Sequence, residues 1–188
     1  MYSIYILLFE GGILVGLNYI DLNKEVRELM ITELNWDIET ENVYISNRLT
    51  EKGKSEYTLL LNKAFSIGND ETLAKEFIHY LKTTEERKTQ KGISQVKVPS
   101  NAAQVLAEGE YNRYYIRGLC LKAITESISV LEVYRAKQSQ NPRSDSEAKI
   151  GSIVNPQQLL QDLRKNPGID TALGLPNGPN SGLSVRLP

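Results

Sequence analysis

The sequence predicts a mainly α-helical fold: a small helical bundle with a long central helix, one or two short strands and an extended C-terminal arm. Three observations lead to this prediction. The longest helical pattern of apolar residues runs over 99–124, and three shorter amphipathic stretches precede it. Glycine and proline residues, which interrupt both helices and central strands, recur through the last twenty positions.

The same patterns divide the chain into five segments. They predict a leader or mis-assigned start over 1–20, an N-terminal helical unit over 21–82, a linker over 83–98, a central helix with a strand and a short helix over 99–168, and the arm over 169–188. A chain of 188 residues suits one domain with appendages.

The first segment contains the only strongly apolar stretch of the sequence. Glu10 and two glycines interrupt it, so it is shorter than the roughly 20 residues of a membrane helix, and it lacks the features of a signal peptide. Glu10-Gly11-Gly12 resembles a translated purine-rich ribosome-binding site, and Val15 just downstream fits a GTG start codon. We therefore expect residues 1–14 to be untranslated leader. The alternative is an N-terminal strand or anchor.

Capping side chains predict where the helices of the N-terminal unit begin. The three helices are expected to run to about Glu39, to Gly68 and through Lys82, after the caps Asp21 or Asn23, Thr50, and Asn69 or Asp70. In the first helix the buried stripe is predicted to be Val26, Met30, Leu34 and Ile38. The polar stretch 83–98 follows as a solvated loop, with a short strand possible only around Ile93, Val96 and Val98.

The central helix has an apolar side and a flank rich in arginine and tyrosine. We predict a start at Ser100 or Asn101 and a contact surface on the flank. Two interpretations of the flank remain open: ion pairs that join the helical unit, or arginines that contact phosphate. The candidate interface or phosphate-contact residues are Glu110, Arg113, Tyr114, Arg117, Arg135 and Arg143.

Composition argues against several function classes. A net charge of -1 gives no electrostatic support for a nucleic-acid or membrane partner. Because Cys120 and His79 are the only residues of their types, a His/Cys zinc site is excluded, and we expect no metal and no cofactor. Glu-x-Lys spacing at Glu147, or an approximation of it at Glu132, leaves a Mg²⁺-dependent nuclease as a minor alternative.

The remaining elements follow the central helix. Residues 129–136 are rich in β-branched side chains and predict a strand, and Asn155-Pro156 predicts a helix start. The weakly charged arm is expected to lie in a groove of its own domain or of a neighbour, the alternative being a tail without contacts. Its candidate contact residues are Leu175, Leu183, Val185 and Leu187.

The blocks AEGEYNRYYIRGLC, VYRAK, PRSDS and GPNSGLSVRLP resemble a set of uncharacterised bacterial and prophage-type proteins that share them. The resemblance extends from about Asn23 to the end. It implies a setting among phage-type late genes and carries no established activity. We expect a non-enzymatic subunit of a larger assembly, a homo-oligomer or phage particle component, located in the cytoplasm or the particle. The alternative is a nucleic-acid-binding protein that uses the helix arginines and tyrosines.

Overall fold

The computed structural model describes residues 16–89, 92–138, 144–166 and 182–188. Its helices are α1 (Lys24–Glu39), α2 (Glu51–Ile67), α3 (Asp70–Phe77), α4 (Ala102–Thr125), α5 (Ser144–Glu147) and α6 (Pro156–Lys165), with a 3₁₀ turn at Ile78–Tyr80. Its strands are β1 (Thr84–Thr89), β2 (Gly92–Lys97), β3 (Leu131–Arg135), β4 (Ile153–Val154) and β5 (Leu183–Arg186). The predicted mainly α-helical fold is confirmed.

Capping chemistry sets most helix starts as expected. The side chains of Asn23, Thr50, Asn69 and Asn155 each accept a hydrogen bond from the backbone N–H three residues further on. The start of α4 differs. Asn101 occupies its cap position, but the side chain makes no capping hydrogen bond. The third helix is also shorter than predicted, because its last turn tightens into the 3₁₀ segment before Leu81.

Helix α4 is the centre of the molecule, with α1, α3 and α6 packed against it. Helix α1 lies close to α4 at Gly118. A Cβ there would lie 3.1 Å from the carbonyl oxygen of Val26 and 3.2 Å from the backbone nitrogen of Met30. Tyr111, Tyr114 and Tyr115 are buried in the core around this axis. The arginine-tyrosine flank is therefore a contact surface for neighbouring helices of the same chain and is not exposed to an external partner.

The buried stripe of α1 is also rotated from the prediction. Val26, Met30 and Leu34 are buried as expected, whereas Ile38 is exposed. Asp37 and Glu33 take buried positions on the same helix. The apolar pattern missed this rotation because it gave no place in the core to carboxylates.

The stretch predicted as a linker over 83–98 is an antiparallel hairpin of β1 and β2, and β2 includes Ile93 and Val96 of the short strand considered there. It is attached at its base, where the Val98 N–H donates to the Thr83 carbonyl oxygen and Arg48 forms an ion pair with Glu85. Beyond the base its described side chains are exposed. The alternation that reveals a strand is absent from the sequence because neither face is buried.

A second sheet has the order β4-β3-β5 with antiparallel pairing. Strand β3 lies within the predicted strand over 129–136, and Val133 pairs with Val185 of β5. The end of the chain is thus part of the fold, since the Leu187 N–H also donates to Asp21 at 2.9 Å. Among the described residues, no helix has the length and apolar character needed to cross a membrane.

Candidate functional site: the buried ion network of the central helix

Arg117 of α4 has no solvent exposure and forms ion pairs with two carboxylates of α1. Its Nε donates to Glu33 Oε2 at 2.8 Å, and its Nη1 and Nη2 donate to the two Asp37 oxygens at 2.6 and 3.0 Å. Glu33 and Asp37 are four residues apart on one helix, so both face the guanidinium. This two-carboxylate arrangement neutralises the buried cation and satisfies its donors.

A second cation extends the network to α6. Arg164 donates from Nε and Nη2 to Glu33 at 3.0 and 2.5 Å, and its guanidinium lies 4.6 Å from the ring centre of Trp36. The hydrogen bonds to Glu33 raise the pKa of Arg164. Two cations therefore meet two anions, and the network joins α1, α4 and α6 without net charge.

The Tyr114 hydroxyl and Asn42 complete the surroundings of Asp37. Tyr114 donates to Asp37 Oδ2 at 2.6 Å, and the Asn42 amide donates to Asp37 Oδ1 at 3.2 Å and to the Arg164 carbonyl oxygen at 2.8 Å. Burial raises the pKa of Tyr114, so the hydroxyl stays protonated and remains a donor. The carboxylate of Asp37 is fully engaged by protein groups. The arrangement can hold helices together and has no open position for a substrate.

Glu110 and Arg113 form a separate buried pair one turn earlier on α4. Arg113 Nη2 donates to Glu110 Oε2 at 3.0 Å, and both side chains are almost completely buried. Burial raises the pKa of Glu110. The guanidinium lies 5.0 Å from the ring centre of Tyr114, while Arg113 Nε and Nη1 are buried without a hydrogen-bond partner among the described residues. A phosphate in solvent does not reach these atoms.

The phosphate-contact candidates are thus split between the interior of the bundle and the β4-β3-β5 sheet. Glu110, Arg113, Tyr114 and Arg117 lie in the core of the bundle. Arg135 lies on β3 and donates to Glu147 of α5 at 2.5 Å. Arg143 is outside the described residues. Of the two interpretations of the flank, the geometry matches ion pairs that join the helical unit.

The two nuclease candidates do not converge. Glu132 accepts hydrogen bonds from Arg186 at 3.2 and 2.7 Å, and Glu147 is bound to Arg135. Within 16–89, 92–138, 144–166 and 182–188, no group of three or more His, Cys, Asp or Glu residues is arranged to hold a metal ion. The carboxylates serve as partners of arginines on neighbouring elements.

The arm candidates that the structure describes contact their own domain. Leu183 and Val185 are buried in β5, and Leu187 is half-buried. Asn112 of α4 donates to the Leu183 carbonyl oxygen at 2.9 Å and accepts from the Ser184 hydroxyl at 2.7 Å. Leu175 is outside the described residues. The groove of its own domain is therefore the one that the last residues occupy.

Sequence reasoning missed Glu33, Asp37 and Arg164. The ion pairs among Glu33, Asp37, Arg117 and Arg164 join residues 80 to 131 positions apart, so no local pattern connects them. The available signal was the spacing of two carboxylates by four residues next to Trp36 on a helix with buried neighbours. Comparison with protein-family models, curated proteins and solved structures finds no match to this chain.

Proposed function

We propose that the protein is a non-enzymatic subunit of a larger assembly, and that the β1–β2 hairpin is its contact element. The observation that carries the proposal is the position of this hairpin. It forms a sheet of two strands, and beyond its base the described side chains are exposed on both faces. A lone two-stranded hairpin is at best marginally stable in water, so contact with another surface stabilises it.

The exposed hairpin has features of an interface. Ile93 is 72% exposed on β2. In the described part of the chain each strand pairs on one side only, which leaves a backbone edge open for another strand. The arginine-tyrosine side of α4 is buried and the described part of the arm is held in its own sheet, whereas the hairpin is exposed.

The charge pattern of β1 fits a second copy of the same strand. When two β1 edges align antiparallel about a two-fold axis at Arg87, Glu86 of each chain lies opposite Lys88 of the other. The two Arg87 side chains then face each other, and each has Glu85 on the same face, 3.6 Å away in its own chain. We propose the second copy as the partner, with the prophage-type sequence blocks as the reason to place the assembly in a phage-type particle.

The native mass of the purified protein tests this proposal. Light scattering across a concentration series is expected to show a dimer or larger species. Glu86→Lys should weaken association at least tenfold because it sets like charges opposite each other, and Glu86→Lys combined with Lys88→Glu should restore it. Ile67→Asp, at an 83% exposed position on α2, is the control and should leave association unchanged.

The outcomes separate the competing functions. A monomer at all concentrations, unchanged by these substitutions, overturns the hairpin proposal. A monomer that retains DNA or RNA, with binding that weakens steeply as salt rises, would instead favour the nucleic-acid alternative.

A further inference from the structure

An acidic pocket lies between α3 and α4 and is lined in part by Gly16. Gly16, Asp70, Glu71, Ala74, Gln104 and Glu108 line it. The Gly16 nitrogen lies 2.8 Å from Glu71 Oε1, and the Leu17 nitrogen lies 2.9 Å from Asp70 Oδ2. Two successive backbone nitrogens are therefore directed at two carboxylates in the first turn of α3.

Acidic side chains outnumber basic ones around this pocket. Glu108 forms an ion pair with Lys137 and accepts a hydrogen bond from Gln104 at 2.7 Å. Asp70 and Glu71 form no ion pair with any other described residue. Asp70 is nevertheless 2% exposed. A buried carboxylate without a cation is costly and burial raises the pKa of Asp70, so a positive charge beside it would stabilise its ionised form.

The fit around residue 16 leaves room for a nitrogen and none for a side chain. A Cβ on Gly16 would lie 2.7 Å from Asp70 Oδ1 and 2.9 Å from Glu71 Cγ, closer than such atoms approach in proteins. Glycine is therefore required there by contact, because the backbone itself lies against the carboxylates. The group best placed to supply this positive charge is the Gly16 nitrogen.

We propose that this pocket holds the α-ammonium group of Gly16, and that Gly16 is the first residue of the mature protein. Hydrolysis of the peptide bond between residues 15 and 16 by a peptidase adds one water, releases the preceding carboxylate and leaves the amine on Gly16. Two routes give the same amine. Translation can begin at the codon of Val15, followed by removal of the initiator methionine before a glycine, or a longer chain can be cleaved before Gly16.

Mass spectrometry and N-terminal analysis of protein expressed behind its own upstream DNA test the proposal. The expected first residue is Gly16. A first residue of Met1, or a residue retained at position 15, overturns the proposal. Replacement of the first methionine codon by a non-initiating codon distinguishes the routes, since the product persists with initiation at codon 15 and is lost with cleavage of a longer chain.

A stability cycle tests the role of the charge independently. One protein begins at Gly16, and its matched control carries a single serine before Gly16, which turns the amine into an amide. Glu71→Gln should lower the folding constant of the first protein about tenfold more than that of the control, the order of one charge-assisted hydrogen bond. Glu76→Gln, on the same helix and paired with the exposed Lys63, should affect both equally.

The titration of the amine gives a final readout. Asp70 and Glu71 from α3, Glu108 from α4, and Lys137, itself paired with Glu108, are the charged groups around it. The nearby carboxylates favour the charged amine, so its pKa should lie above the ordinary value of about 8, as measured by the pH dependence of amine labelling. An ordinary pKa together with equal effects of Glu71→Gln in both proteins overturns the proposal.

Discussion

Replacement of Arg117 by methionine tests whether the buried ion network holds the three helices together. Arg117→Met keeps a long flexible side chain but removes the cation that contacts Glu33 and Asp37. Glu33 retains Arg164, whereas Asp37 retains only the neutral donors Tyr114 and Asn42. A buried charge that loses its partner costs about 3–5 kcal/mol. That is a large part of the stability of an ordinary domain.

Urea denaturation measures this loss directly. With a slope of about 2 kcal/mol per molar urea, the midpoint of Arg117→Met should fall by roughly 2 M. Arg117→Met combined with Asp37→Leu removes one charge of each sign and should recover at least half of the loss, because the stranded anion is gone. Lys63→Met, which breaks the exposed pair with Glu76, should cost less than about 1 kcal/mol. The reasoning fails if Arg117→Met costs no more than Lys63→Met, or if the double variant is as unstable as the sum of its parts.

Three further predictions concern packing and pH. Gly109→Ala should stabilise the protein by about 1 kcal/mol in thermal unfolding, because nothing lies within 4 Å of the new Cβ. Gly118→Ala should show no such gain, because its new Cβ would press against the backbone of α1. Equal gains in the two variants would contradict this close approach. Val185→Ala should cost about 2 kcal/mol by chemical denaturation, and a cost near zero would mean that β5 does not stabilise the fold. Burial raises the pKa of Asp70 from 3.8 to about 6, so its folded form holds a proton that its unfolded form releases. The stability of the 188-residue chain should therefore fall by up to about 3 kcal/mol from pH 4 to 7 relative to Asp70→Asn, and parallel pH profiles of the two would refute this. A chain beginning at Gly16 should lack the slope, since an ammonium group stabilises the ionised carboxylate.

Helix boundaries were predictable because their causes are local. Asn23, Thr50, Asn69 and Asn155 bind backbone groups only three residues away, and Pro156 follows its cap directly. The two groups that form each of these caps are therefore close together both in the sequence and in the fold. A short window therefore suffices for these features.

The role of the α4 flank was not predictable by the same reasoning. An amphipathic pattern assigns charged residues to solvent, and this rule fails where partners of opposite charge arrive from other helices. Arg117 is bound to Glu33 and Asp37, 84 and 80 positions away. The apolar residues specify that α4 is central, but only the packing of α1 and α6 determines that its charged side is also inside.

The β1–β2 hairpin was not predicted from the sequence, for the opposite reason. Its residues carry no buried face, so the alternation typical of a half-buried strand never appears in β1 or β2. Strand pairing there depends on backbone hydrogen bonds and cross-strand pairs such as Glu86 with Gln95, whose amide donates to the carboxylate at 3.3 Å. A polar hairpin therefore looks like a loop in sequence.

The groups with raised pKa values bear on the choice between the proposed assembly subunit and an enzyme. Enzymes place groups with shifted pKa values where a substrate reaches them. Here burial raises the pKa of Tyr57, Glu110 and Tyr114, which are enclosed by protein, and also that of Asp70, which lines the pocket between α3 and α4. The charged side chains around Arg117 join α1, α4 and α6. In the proposed assembly, the exposed edge of β1 is the element that identical copies would share.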